Sequence, residues 1–66
     1  METKIKVTGM TCMHCVGAVT KALEGTPGVE KAEVSLQSGE AIVTGNAETN
    51  SLLEAIREEG YEAQVI

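Results

Sequence analysis

VEKAEVSLQSGEAIVTG, residues 29–45, decides the fold. It divides into VEKAEVSL (29–36) and EAIVTG (40–45), joined by QSG (37–39). Val34 and Leu36 alternate toward one face of the first run, and Ala41 and Val43 do the same in the second. A period of two is the signature of a strand, and a short glycine-containing link between two such runs predicts a β-hairpin, with Gly39 in the turn.

The pattern changes on both sides of the hairpin. Upstream, Val16, Val19, Ala22 and Leu23 recur at spacings of three and four, which predicts an amphipathic helix over residues 15–24. GTPG (25–28) stops it with two glycines and a proline. Downstream, NSLLEAIREE (50–59) returns to helical spacing with Leu52, Leu53 and Ile56 inward, and Gly60 falls where a left-handed helix terminus is wanted. At the outer edges, TKIKVTG (3–9) places Ile5 and Val7 on one face of a strand, and YEAQVI (61–66) alternates as a fourth. The order is βαββαβ. One arrangement buries both helices on one face of a four-stranded antiparallel sheet, so the expected class is α+β, a ferredoxin-like sandwich. Residues 1–66 are expected to form a single domain.

Composition bounds what such a domain does. A chain of 66 residues buries only about 60% of its unfolded surface, so the core is thin. Hydrophobic residues make up 42% of the chain, but Trp and Phe are absent and Tyr61 is the sole aromatic, so that core is aliphatic. Net charge is −5, which argues against nucleic acid as a partner. The acid excess serves solubility in the simplest reading and partner docking in the other. No apolar run approaches the ~20 residues of a membrane span. The opening METKIKV has no secretory signal pattern, which points to the cytoplasm unless the chain is part of something larger.

One stretch fits neither core nor ordinary surface. GMTCMHC (9–15) holds both cysteines, the only histidine and two of the three methionines. It lies between the first strand and the first turn of the first helix. A C-x-x-C pair there has three readings. It can bind a soft metal, since thiolates are strong ligands for Cu(I) and zinc, and a helix N-terminus favours the thiolate form. A closed zinc site within one chain cannot be built from two Cys and one His, whereas Cu(I) accepts two or three ligands. The pair can instead be a dithiol redox centre of the thioredoxin kind. Against this, no aromatic residue precedes Cys12, and Pro27 falls in a turn after the first helix. Last, it can be a pair of structural thiols or a short disulfide, but so short a loop gains least from a crosslink.

The string G-M-T-C-x-x-C after an opening strand, in a βαββαβ chain of this length, resembles the heavy-metal-associated domain family. The resemblance covers the whole chain and includes the GTPGV turn, the A-x-V pattern in the hairpin and the EEGY ending of the second helix. It implies a ferredoxin-like fold whose exposed loop binds one Cu(I) through Cys12 and Cys15. The family includes metal-binding domains of copper-transporting P-type ATPases and periplasmic mercury-binding proteins that carry signal peptides. With His before the second Cys, CMHC is most similar to the loop of free-standing bacterial copper chaperones.

Position in the chain, and for Met10 and the second reading of Tyr61 that resemblance, imply roles around the ligands. Met10 is expected to point into the core and brace the loop rather than ligate. Met13 is expected to be exposed in a docking loop. His14 is expected to tune the thiols or touch a partner, with no special role as the next reading and ligation the weakest. Tyr61 either fills the end of the core or lies beneath the loop with its hydroxyl approaching the site. Gly17, inside a helix, costs about 1 kcal/mol relative to Ala and asks for a reason.

The expected function is that of a cytoplasmic Cu(I) metallochaperone rather than an enzyme. It would pass one ion by thiolate exchange to the metal-binding domain of a copper-transporting P-type ATPase or another C-x-x-C protein. Cys12, in the loop, would exchange first. The metal-free chain is expected to be a monomer, with bridging of two chains by the metal left open. The alternatives are a metal-binding domain excised from such an ATPase and, further off, a thiol–disulfide oxidoreductase.

Overall fold

The computed structural model describes residues 2–66. Its elements are β1 (Glu2–Thr8), α1 (Met13–Glu24), β2 (Val29–Ser35), β3 (Glu40–Gly45), α2 (Thr49–Glu58) and β4 (Glu62–Val65). The strands form one antiparallel sheet in the order β2-β3-β1-β4. Consecutive β2 and β3 pair as the hairpin, with Ala32 opposite Val43 and Val34 opposite Ala41. The fold is the ferredoxin-like α+β arrangement read from the sequence.

The alternating residues do what a half-buried antiparallel sheet requires of them. Ile5 and Val7 of β1 and Ala41 and Val43 of β3 turn inward and meet Val19 and Leu23 of α1 and Leu52 and Ile56 of α2. Both helices therefore share one face of the sheet. None of these eight side chains exposes more than 3% of its surface. Truncating one of them, as in Leu23→Ala, removes burial and leaves a cavity, at a cost of about 2–5 kcal/mol.

Several element boundaries depart from expectation by one or two residues. Helix α1 begins at Met13, two residues before the expected start at Cys15, because Cys12 is extended (φ −159°, ψ 174°) and serves as its N-cap. The exposed first turn carries no apolar signal. Helix α2 begins one residue early, at Thr49. Strand β2 ends at Ser35, and Leu36 joins the turn, half-buried. There the Gly39 N–H returns to the Ser35 carbonyl at 3.0 Å, closing a four-residue connection. Strand β4 begins at Glu62 instead of Tyr61, because Tyr61 is still bonded to the end of α2.

No described helix is long and apolar enough to cross a membrane.

Candidate metal centre

The central strand β1 delivers the chain to one end of the sheet, and α1 carries it back. Between them, residues 9–12 form the loop. Gly9 opens it at φ +108°, a conformation that L side chains rarely adopt, and this turns the chain off the strand. Met10 is half-buried and packs against the core. Cys12 caps α1 with its backbone: its carbonyl accepts from the N–H groups of Cys15 at 3.1 Å and Val16 at 3.3 Å, and no side chain caps the helix. The first-turn amides thus remain directed at the loop, with the positive end of the helix dipole behind them. No acidic residue lies in that turn to neutralise it.

The two sulfurs converge on this end. Both thiols are free, Cys12 exposed and Cys15 half-buried, and Cys12 Sγ lies 3.8 Å from Cys15 Sγ. Thr11 Oγ1 is 3.9 Å from Cys15 Sγ. The Cys15 thiol is lowered from an ordinary 9.0 to about 6. The backbone N–H of Thr11 is the largest cause, followed by the Tyr61 hydroxyl, with smaller help from the hydroxyl of Thr11 and the thiol of Cys12; partial desolvation opposes them. At neutral pH Cys15 is mostly thiolate, the form that ligates metals and attacks electrophiles.

Tyr61 reaches the site because of how α2 ends. Gly60, at φ +95°, donates to the Arg57 carbonyl at 2.9 Å, and Tyr61 donates to the Ile56 carbonyl at 3.4 Å. These two bonds form a Schellman motif, which fixes Tyr61 as the residue that leaves the helix toward β4. Its half-buried ring packs against the core and flanks Gly9, where a Cβ would meet Tyr61 Cδ1 at 3.4 Å. The phenol is raised above its ordinary 10.0, first because its proton is shared with Cys15, then by desolvation. Both shifts have one physical cause, the Tyr61 hydroxyl favouring the Cys15 thiolate.

Of the residues singled out in the sequence, Cys12, Cys15 and Tyr61 lie at one end of the molecule, and Met10 is half-buried and packed against the core. Met13 is 68% exposed. His14 is exposed on the first turn of α1. Among the described residues no group of three or more His, Cys, Asp or Glu side chains could hold one ion together, so His14 does not complete a set with the two cysteines. Sequence reasoning missed Thr11 and the contact of Gly9 with Tyr61. Thr11 lies four residues before Cys15, a spacing that becomes meaningful once α1 is known to start at Met13.

The geometry sets what the site can hold. At a zinc–thiolate bond length of about 2.3 Å, sulfurs 3.8 Å apart subtend about 110° at an ion between them. The two thiolates would hold such an ion as a bent pair, with Cys12 on its exposed side.

Residues 4–62 match the family described as Heavy-metal-associated domain. The copper chaperone CopZ of Enterococcus hirae is 36% identical over 69 residues, covering all of both chains. Copper-transporting ATPase 1 of Rhizobium meliloti is 44% identical over 66 residues, and the match covers 97% of this chain but 8% of that one. Among solved structures, a copper-binding domain from HMA7, a P-type ATPase, superposes with a TM-score of 0.95 at 34% identity, covering 98% of this chain and 92% of that one.

Proposed function

The chain belongs to the heavy-metal-associated domain family, and from that premise we propose that it binds one Cu(I) through Cys12 and Cys15 and hands it on by thiolate exchange. The observation that carries this reading is the pair of free sulfurs 3.8 Å apart at an open loop. Two soft ligands with no His, Asp or Glu completing a set of three among the described residues suit Cu(I) and leave a structural zinc site half built. The names of the relatives support copper as the cargo.

Transfer follows from the same openness. An incoming thiolate enters the exposed side of the bent pair, and a resident thiolate then leaves, so no bare ion is released. Cys12, exposed and outside the helix, departs first. Cys15 is held by Thr11 and Tyr61 and keeps the ion during the exchange. The receiver is another C-x-x-C protein, such as the metal-binding domain of a copper-transporting P-type ATPase, met in the cytoplasm. The metal-free chain is a monomer. A second copy can offer its thiolate to the same open position, which would bridge two loaded chains. Carriage of an ion, not turnover of a substrate, is the activity.

The identity to a copper-transporting ATPase supports a second reading, in which this domain receives copper within a larger pump. The product of the intact gene separates the two: several hundred further residues with membrane spans would establish the pump. The chemistry of the site is tested by stopped-flow mixing of Cu(I)-loaded protein with a metal-free C-x-x-C acceptor. A rate that rises with acceptor concentration supports exchange. A rate independent of it, equal to the off-rate into a passive chelator, would show release into solvent and end the carrier reading.

A further inference from the structure

One glycine in the chain has no use within the chain. Gly9, Gly28, Gly39, Gly45 and Gly60 all have positive φ, and Gly25 caps α1, where a Cβ would meet the Lys21 carbonyl oxygen at 3.4 Å. Gly17 has neither excuse. It sits inside α1 with ordinary helical backbone, exposed, and a Cβ built on it meets nothing within 4 Å. A helix-interior glycine weakens its helix by raising the entropy of the unfolded chain and exposing backbone to water. The monomer tolerates this penalty without any contact that requires it.

The surroundings of Gly17 say where the missing side chain matters. Gly17 and Ala18 form the floor of an open groove of about 620 Å³, walled by Met13, His14, Lys21, Ala22 and Glu59. Met13, one of three large apolar side chains left exposed among the described residues, stands at the mouth beside Cys12. The groove takes Met13 and His14, the two residues between the cysteines in the chain, into its wall, so it begins on the same first turn of α1 as the metal loop ends. Exposed Glu54, Glu58 and Glu59 line the adjoining rim on α2.

We infer that Gly17 is the point at which the main chain of the copper acceptor is admitted against α1. The occupant is the C-x-x-C loop of an acceptor domain with a Lys- or Arg-bearing face. Met13 packs on it, Glu58 and Glu59 pair with its cations, and the absent Cβ of Gly17 lets its backbone close far enough for an acceptor sulfur to reach the open side of the Cys12–Cys15 pair. The inference rests on the exchange function proposed above and adds a position that sets the approach distance. Docking of this kind is favoured by opposite charge, which acts chiefly on the encounter rate.

The test uses Gly17→Ala and Gly17→Leu with the loaded chain as donor. The probes are a metal-free C-x-x-C domain of net positive charge as acceptor and bathocuproine disulfonate as passive chelator. Both substitutions improve the helix, so the melting temperature should rise, by about 4–8 °C for Gly17→Ala. One Cu(I) per chain and the rate into the chelator should be unchanged. Transfer to the acceptor should slow several-fold for Gly17→Ala and about tenfold or more for Gly17→Leu, equivalent to about 1.4 kcal/mol in the barrier. Gln64→Leu, which adds an apolar side chain to the outward face of β4, should transfer at the wild-type rate. A more stable protein that delivers more slowly is a pairing no purely structural role for Gly17 produces. If wild-type transfer depends on acceptor concentration but both Gly17 variants match it, this inference falls and the exchange reading stands. If wild-type transfer ignores acceptor concentration, both fall. If Gly17→Leu leaves delivery intact but abolishes self-association of the loaded chain in sedimentation, the occupant is a second copy and the assignment to an acceptor is overturned.

Discussion

The two ends of this molecule use the same material, glycine-bearing connections between strands and helices, to opposite effect. The antiparallel register puts Thr8, Glu62, Lys6 and Glu40 at the metal-loop end and Glu2, Thr44, Val29 and Gly45 at the other. At that other end backbones lie against each other. A Cβ on Gly28 would sit 2.8 Å from the Ala47 nitrogen, and the Asn46 N–H donates to the Gly28 carbonyl at 2.9 Å. Thr26 is 8% exposed, with its hydroxyl donating to the Ala22 carbonyl at 3.0 Å. At the loop end the first turn of α1 lacks a side-chain cap, and both thiols, the histidine and a methionine face outward or lie at the surface. The closed end fixes the fold, and the open end keeps its polar and soft groups available. The proposed binding is placed where its loss would leave the core intact.

That contrast is breakable, and Cys15→Ser strikes it hardest. A hydroxyl is a hard ligand, mostly protonated at neutral pH, so Cu(I) binding should weaken by about 10³-fold, or about 4 kcal/mol. A competition titration with a Cu(I) chelator measures this. The apo melting temperature measured above pH 9 should fall, because the thiolate bonds are lost, yet the chain should remain folded. Retained wild-type affinity would show that binding does not live at the open end.

Gly45→Ala attacks the closed end. A side chain there must adopt φ +131° and bring its Cβ to 2.8 Å from the Glu30 nitrogen. Loss of about 3 kcal/mol is expected in a urea titration, a large fraction of the stability of so small a domain. The fraction that remains folded should still bind one Cu(I). Loss of binding with retained stability would invert the comparison.

Tyr61→Phe sharpens it, since Tyr61 joins the core to the site. Removing the hydroxyl takes a hydrogen-bond donor from the thiolate, so the Cys15 midpoint should rise from about 6 toward the ordinary 9.0. The pH dependence of Cys15 alkylation reads this directly. The same group links stability to pH. Its folded value lies below its unfolded value, so the stabilisation is fully present above pH 9 and is lost as pH falls toward 6. Apo melting temperature should decline across that window, and Cys15→Ser should flatten the decline.

The smallest effects belong to Met10 and His14. Met10→Leu nearly conserves volume and should cost less than about 1.5 kcal/mol while binding copper normally. His14→Ala should leave the stoichiometry unchanged. X-ray absorption of the monomeric Cu(I) form should show sulfur without a nitrogen that disappears in this variant.

Periodicity made the architecture legible. The alternation of Ile5 with Val7 and of Ala41 with Val43, and the three–four spacing of Val16, Val19 and Leu23, record burial on one side, which sequence displays directly. Gly60 was readable as a left-handed helix end because it followed a periodic run. Boundaries were less so. Met13 and His14 begin a helix with exposed side chains, and Leu36 continues an alternating pattern into a turn that only the closing of Gly39 onto Ser35 reveals. In the site, the cysteines and their spacing announce themselves as chemistry. The support for Cys15 does not, because its largest part is a backbone N–H, that of Thr11, which every non-proline residue possesses. The tight fit of Gly28 against Ala47 was equally hidden, since it depends on segments nineteen residues apart meeting in space.

Within residues 9–15, Met10 is the one side chain packed against the core. Heredity can therefore act on cargo and scaffold separately. On the proposed function, changes at positions 12 to 15 would alter which ion is carried while the lineage passes only through folded intermediates, so a domain of this build could change its trade without first losing its shape. The same independence makes the loop a graft: residues 11–15, inserted between a strand and a helix of matching geometry, should bring much of the site with them, and Tyr61, supplied from the end of another helix, is the part a graft would have to rebuild.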